Sequence, residues 1–256
     1  MKPLILLSND DGVHAKGLHE LIRMLRSVGN LFVVAPDRVR SGASSFLTAE
    51  IPITARLVKS EEGLTVYSCS GSPTDCVKLA LDQLLQRMPD LVVGGINHGN
   101  NASVNAHYSG TVGVVREGAL HGIPSVAFSL CNHSLDADFA PAEPYVVEIV
   151  EQVLEQSMPY GSFLNVNFPD TSKFSGVRVC RMAYSRWQDE YVPCEHPHGA
   201  RFYWLGGEFI NDEPDEEDTD SWALERDYVA ITPLKVDVTD YDLKVSMENW
   251  KLGEFS

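Results

Sequence analysis

Two aspartates stand side by side in Asn9-Asp10-Asp11-Gly12, directly after the apolar run Leu4-Ile5-Leu6-Leu7. Adjacent carboxylates at the mouth of a buried strand repel each other and are costly without a counter-ion. Two further polar turns follow apolar runs. Residues 37–45, with Ser41 among them, come after Leu31-Phe32-Val33-Val34, and Gly94-Gly95-Ile96-Asn97 comes after Leu91-Val92-Val93. Open parallel sheets gather ligands at the carboxyl ends of their strands. If the three turns converge, they bring together the carboxylates of Asp10 and Asp11, the hydroxyl of Ser41 and the amide oxygen of Asn97. Such an all-oxygen set suits Mg²⁺, Mn²⁺ or Ca²⁺ and not a metal that seeks thiolate or imidazole. The plainer alternative is a turn whose Asp caps the next helix, and Ser41 or Asn97 taken alone serves a turn equally well.

A second constellation is Tyr108-Ser109-Gly110-Thr111-Val112-Gly113, just ahead of a run of small residues with helical character. A helix start there offers free backbone N–H groups, the positive end of the helix dipole and two hydroxyls, which together make an anion site. An ordinary Ser N-cap explains the same residues. No Gly-Lys-Ser/Thr follows, so this is not a Walker loop, and no convincing Gly-x-Gly-x-x-Gly follows the first strand, so a dinucleotide is not indicated. Cys194, His196 and His198 match no standard zinc spacing. The acidic stretch 212–220 reads as a solvated loop. His14 near the acid pair is either a proton donor or a surface histidine, and Arg38 and Arg40 either attract an anion or simply occupy a turn.

The elements that must position these groups alternate between β-rich runs and amphipathic helices, the pattern of a doubly wound, mostly parallel α/β sheet. Leu18, Leu21, Ile22 and Leu25 recur at helical spacing and Gly29-Asn30 ends that helix. Ser72-Pro73-Thr74-Asp75 supplies an N-cap, a proline at the first helical position and an acid three residues after the cap, opening a helix through Leu84. A buried strand is expected from Ile123 to Phe128 and a helix from Tyr145 to Leu154. Residues 51–53 and 65–67 flank Glu61-Glu62-Gly63 as an inserted hairpin. The expected organisation is a single domain over 1–256, with a Rossmann-like core in 1–170 and a mixed C-terminal extension or oligomerisation arm in 171–256.

Twenty basic against thirty-six acidic residues leave a net charge of −16 over 256 residues. That is the wrong sign for neutralising a nucleic-acid polymer. A phosphorylated substrate is repelled by the same field, so phosphate chemistry here requires a local cation or a focused cluster of donors. Five scattered cysteines without a Cys-x-x-Cys pair indicate neither a disulfide framework nor a zinc knuckle. The short apolar run at 4–7 is neither a signal core nor a membrane span, so the expectation is a cytoplasmic protein with no membrane partner.

Taken in order, the motifs resemble the SurE (survival protein E) family of 5′/3′-nucleotidases. They are Leu7-Ser8-Asn9-Asp10-Asp11-Gly12, then Ala35-Pro36-Asp37-Arg38 leading to Arg40-Ser41-Gly42-Ala43-Ser44, then Gly71-Ser72-Pro73-Thr74-Asp75-Cys76-Val77. Gly95-Ile96-Asn97-His98-Gly99-Asn100-Asn101, the Tyr108 to Gly113 stretch, and Asp218-Thr219-Asp220 with Tyr228-Val229 and Ile231-Thr232-Pro233-Leu234 complete the series. The resemblance implies a Rossmann-like fold, one divalent cation (Mg²⁺ or Mn²⁺) held by Asp10, Asp11, Ser41 and Asn97, and hydrolysis of nucleoside 5′- and 3′-monophosphates. Trimming of short polyphosphate and assembly into homodimers or homotetramers are also implied. In that scheme Asn9, Asn101, Ser109, Gly110 and Thr111 hold the phosphoryl oxygens, with Asp10, Asp11 and Asn9 at the catalytic centre. Three positions depart from the family pattern: Ser103 and Asp227 where Gly is frequent, and Asn105 where Asp is frequent. Two rivals keep an acidic pair after strand one. A receiver-type signalling module needs an acceptor Asp after its third strand, where Gly94-Gly95-Ile96-Asn97 stands, and a haloacid-dehalogenase-type phosphatase needs Asp-x-Asp, where Asn9 takes the first position.

Overall fold

The computed structural model describes residues 2–156 and 158–250. Its first unit is β1 (Leu4–Ser8), α1 (Lys16–Leu25) and β2 (Asn30–Pro36). Helix α1 forms where expected because Leu18, Leu21 and Leu25 fall on one buried face. The antiparallel pair β3 (Ala55–Glu61) and β4 (Leu64–Cys69) follows. Then α2 (Pro73–Leu79) opens on a complete capping box: Ser72 Oγ accepts from Asp75 N, and the Asp75 carboxylate accepts from Ser72 N. The helix runs on to Leu84 as a π-type turn. β5 (Leu91–His98), α3 (Asn105–Tyr108), α4 (Gly110–Leu120), β6 (Ser125–Leu130), α5 (Glu143–Glu155) and β7 (Ser162–Phe168) complete the wound part. After β8 (Gly176–Val179) come β9 (Ser185–Gln188), β10 (Tyr191–Glu195), β11 (Arg201–Leu205) and β12 (Glu208–Asn211). The chain then returns through α6 (Asp220–Glu225), β13 (Tyr228–Lys235) and α7 (Tyr241–Met247).

The strands form one nine-stranded sheet in the order β3-β4-β2-β1-β5-β6-β7-β13-β8. From β4 to β7 every neighbouring pair is parallel. β3 is antiparallel to β4 at one edge, and β13 is antiparallel to β7 near the other. One face is covered by α1 and α5, through Leu18, Leu21, Val146 and Val150. The other is covered by α2 and α4, through Val77, Val112 and Val115. Chain order reverses around β1, which has β2 on one side and β5 on the other. Ligands bind at such a switch point.

Two expectations are corrected. No strand forms over 51–53; the outer strand begins at Ala55, and the hairpin inserted between β2 and α2 extends the edge of the main sheet, with β4 parallel to β2. The β-like run at Tyr228 joins the sheet as β13, with β8 beside it, so part of the expected arm completes the core. What stands apart is a pair of two-stranded ribbons, β9 with β12 and β10 with β11. Residues 251–256, the end of the expected arm, lie outside the described residues. Among the described residues no helix is long and apolar enough to cross a membrane.

Candidate functional site

Asn9, Asp10 and Asp11 leave the end of β1 in a tight turn. Gly12 N donates to Asn9 Oδ1 at 3.2 Å and Asn9 Nδ2 donates to Gly12 O at 3.1 Å. Gly12 has φ +100°, a conformation open to glycine and costly for other residues. Asn9 is therefore fully buried and occupied in closing the turn.

Asp10 is 3% exposed. Its Oδ1 accepts from Thr111 Oγ1 at 2.6 Å and its Oδ2 accepts from Gly110 N at 3.1 Å, so the start of α4 is aimed at this carboxylate. Burial pushes the Asp10 carboxyl up to about 6, opposed by the Thr111 bond and reinforced by the Asp11 charge. Asp11 is also raised by burial, against the His98 backbone N–H, which donates to its Oδ2 at 3.1 Å, and the nearby His98 and His133 rings.

The loop bearing Ser41 is fastened to the same turn by Arg40 N donating to Asp10 O at 2.7 Å. Arg40 Nη2 donates to Ser70 O at 2.7 Å, which makes Arg40 an anchor of the loop. On β5, the pairing with β6 slips by one residue between Gly94 and Asn97. Such a bulge re-aims a side chain, and Asn97 here donates its Nδ2 to Gly99 O at 2.9 Å, leaving its carbonyl oxygen as a free acceptor. Asn101 sits on a buried polar platform from β6 and β7. Its N–H donates to Asn167 Oδ1 at 2.9 Å, its carbonyl accepts from Asn165 Nδ2 at 2.8 Å, and its Nδ2 donates to Ser129 Oγ at 2.9 Å.

Asp10, Ser41, Asn97, Asn101 and Ser109 thus line one cavity of about 490 Å³, with Asp11 at its rim through His98. Neither carboxylate has a Lys or Arg partner among the described residues. A buried carboxylate and a half-buried one, neither paired with Lys or Arg, beside a hydroxyl and a free amide oxygen fit a hard divalent cation. Among the described residues no three His, Cys, Asp or Glu side chains gather as a metal-holding group. A cation at this site therefore draws on Ser41 and Asn97 as well as on the acids.

The expected phosphate donors divide. Ser109 lines the cavity, and its Oγ accepts from Val112 N as the N-cap, which leaves the hydroxyl proton free to donate. Gly110 N and Thr111 Oγ1 donate to Asp10, and neither residue is in the lining. Asn9 likewise closes the turn and is outside the lining. His14 is exposed, Arg38 is exposed beside Asp37, and Cys194, His196 and His198 sit on or beside the β10–β11 ribbon, all away from this lining. The acidic stretch is not simply solvated, since Glu213 and Asp218 both pair with Arg181 and Asp212 pairs with Arg186.

Sequence reasoning missed His98, Asn100, His133, Trp187 and Phe209, which also line the cavity. His98 and Asn100 lie inside the Gly95–Asn101 motif, and His133 follows the carboxyl end of β6, so the strand-end rule reaches all three. Asn165 and Asn167 alternate with apolar residues on a fully buried strand, a polar pattern that asks for a partner. Nothing local marks Trp187 or Phe209. The glycine departures have a backbone cause: Ser103 and Asp227 have φ +53° and +61°, the region glycine adopts freely. Ser103 is held there by Asp220, which accepts from its N–H at 2.7 Å and its hydroxyl at 2.5 Å.

Comparison with known proteins agrees with this geometry. The family model described as Survival protein SurE matches residues 5–189. The chain is 57% identical over 251 residues to the 5′-nucleotidase SurE of Phocaeicola vulgatus, covering 98% of each. It is 53% identical to the 5′-nucleotidase SurE of Bacteroides fragilis, again covering 98% of each. The crystal structure of the SurE protein from Aquifex aeolicus is similar with a TM-score of 0.82 at 36% identity, over 96% of this chain and 98% of that one. The nine-stranded wound sheet, the acid pair at its switch point and these matches together show that the chain belongs to the SurE family.

Proposed function

We propose that this chain is a divalent-metal-dependent phosphomonoesterase that hydrolyses nucleoside 5′- and 3′-monophosphates to nucleoside and phosphate, and that it also trims short polyphosphate. The observation that carries the reading is the adjacent pair of buried Asp10 and half-buried Asp11, in a cavity shared with Ser41 and Asn97 and with no Lys or Arg partner among the described residues. The nucleotide substrate class is supported by the 5′-nucleotidase names of the relatives. Cytoplasmic location and assembly as a homodimer or homotetramer belong to the same proposal.

In this reading Asp10, Asp11, Ser41 and Asn97 hold one Mg²⁺ or Mn²⁺. When bound there, the cation supplies Lewis-acid activation of the phosphoryl group and of an attacking water. Thr111 and the start of α4 fix the Asp10 carboxylate before substrate arrives, so no reorganisation is needed as charge moves. The Ser109 hydroxyl and the remaining Asn101 amide hydrogen donate to phosphoryl oxygens. His98 Nδ1 faces Ser134 O at 3.0 Å. A carbonyl only accepts, so Nδ1 donates in this contact and the ring is oriented by it.

The test is phosphate release from 5′- and 3′-AMP and from a short polyphosphate, with and without chelator. Chelation is expected to abolish release, and Mg²⁺ or Mn²⁺ to restore it. Full turnover in protein shown metal-free by elemental analysis defeats the proposal.

A further inference from the structure

The cavity has a wall that the chemistry at the carboxylates does not use. Trp187 on β9 and Phe209 on β12 are direct cross-strand partners on the outer ribbon, and both line the cavity that holds Asp10. Neither belongs to a hydrophobic core cluster. Their rings meet edge to face, with centroids 5.8 Å apart and planes at 72°. An edge-to-face contact engages one of the pair's four ring faces. Among the described residues no other aromatic ring or guanidinium stacks on either of them. The indole is also fixed in azimuth, because Trp187 Nε1 donates to Asn105 Oδ1 at 2.8 Å. Asn105 opens α3, four residues beyond Asn101, so the ring that forms the wall is tied to the segment that presents the phosphate-side amide.

A large planar ring, half-buried, held by one oriented hydrogen bond and lining a cavity of about 490 Å³ is a stacking platform without a stacked partner. Bases stack on such rings with little regard to sequence, because every base has a π-face. We infer that Trp187, positioned by Asn105, is the specificity determinant of this site and selects substrates whose leaving group carries a nucleobase by stacking on it. The inference rests on the nucleotidase reading above. Asn105 acts through Trp187 and is a positioning residue.

The experiment compares kcat/KM for 5′-AMP with that for ribose 5-phosphate, the same ester without the base, in wild type, Trp187→Ala, Trp187→Phe, Asn105→Ala and Asn105→Asp. Stacking losses on truncation to alanine correspond to roughly 5- to 150-fold. The AMP to ribose 5-phosphate ratio is therefore expected to fall by about tenfold or more in Trp187→Ala, mainly through KM for AMP. Trp187→Phe keeps a stacking face and loses less. Asn105→Ala lowers the ratio, whereas Asn105→Asp, which still accepts from the indole, restores it even if its added charge slows both substrates. Adenosine titrated into metal-free wild type should quench tryptophan fluorescence, and the quench should vanish in Trp187→Phe. An unchanged ratio in folded Trp187→Ala, or an equal quench in Trp187→Phe, overturns the inference. If wild type hydrolyses neither ester, the nucleotidase reading fails, while the adenosine quench still decides whether Trp187 binds a base. Should Trp187→Ala not fold, Trp187→Phe and the Asn105 pair carry the decision.

Discussion

Asp10 should cost the metal-free protein stability at neutral pH, by an amount that can be worked out. Its carboxyl is raised from 3.8 to about 6 in the folded chain, chiefly by burial. A shift of about two units at about 1.4 kcal/mol each is worth about 3 kcal/mol. Because the folded state holds the proton more tightly than the unfolded state, this stability is fully present below the unfolded value. It declines as pH rises and is lost above the folded value. Asp10→Asn has no such term. Its Oδ1 can still accept from Gly110 N, and its amide can donate to Thr111, but losing the charged bond gives back about 1–2 kcal/mol. The variant should therefore be about 1–2 kcal/mol more stable than the parent at pH 7 in chelator, roughly 2–4 °C in Tm for a chain of this size. The advantage should shrink or reverse by pH 4. Adding Mn²⁺ at a hundredfold its Kd should raise the parent by about 2.7 kcal/mol and the variant by much less. Urea melts of both proteins at pH 4, 5, 6 and 7, each with chelator and with Mn²⁺, give the comparisons. A parent-minus-variant difference that does not move with pH, or a variant less stable than the parent at pH 7 in chelator, refutes the reasoning. So does an equal metal response in the two proteins.

Gly110→Ala places a Cβ 2.8 Å from Asp10 Cβ and 3.0 Å from Asp10 Oδ2; it should lower folding stability by about 1–3 kcal/mol and weaken Mn²⁺ binding in calorimetry, and unchanged affinity in a folded variant counts against Asp10 as a ligand. Asp227→Gly relieves a left-handed residue and should be neutral or stabilising by up to about 1 kcal/mol. Ser103→Gly relieves the same strain but removes the hydroxyl bond to Asp220, so chemical denaturation should show it destabilised by about 1–2 kcal/mol. Inorganic phosphate should bind at least tenfold more tightly with Mn²⁺ present than in chelator, because the start of α4 is already taken by Asp10; equal affinity by calorimetry would return that helix start to the role of an independent phosphate site.

What was legible in the sequence is what local chemistry encodes. The run Leu4 to Leu7 and its acidic turn, the stripe of α1, and the Ser72 capping box all follow from periodicity and turn grammar within a few residues, and all are in place. The convergence of Ser41 and Asn97 on Asp10 followed from a fold-level rule about strand ends. The misses are non-local or ambiguous. β3 is an almost wholly exposed edge strand, so its residues carry no inside-outside alternation to read. β13 pairs with β7 across more than sixty residues, and nothing in either strand names the other. The start of α4 reads in the sequence as a place for a phosphate. Which anion it receives depends on tertiary packing, and the recipient is the chain's own Asp10 carboxylate.

The same packing explains why the ribbons and α6 matter to a site whose acids lie near the other end of the chain. Three consecutive residues of the loop between β5 and α4 are each tied to the C-terminal part. Ser103 is tied to Asp220, Val104 N donates to Ser185 Oγ at 3.1 Å, and Asn105 accepts from Trp187. From below, Asn165, Asn167 and Ser129 hold Asn101. The loop that carries Asn101 toward Ser109 is thus clamped between the sheet and the C-terminal segment, and buried polar groups clamped in this way cost far more to loosen than to keep. Asp220 accepts from Ser103, Ala183 and Ser221 while fully buried, so it joins the loop, the segment leading into β9 and the start of α6 at one point. The carboxylates supply the charge, but the shape of the cavity opposite them is set by residues more than eighty positions away. That division gives the Asp10 side and the Trp187–Phe209 side of the cavity separate structural origins, one at the end of β1 and the other on the β9–β12 ribbon.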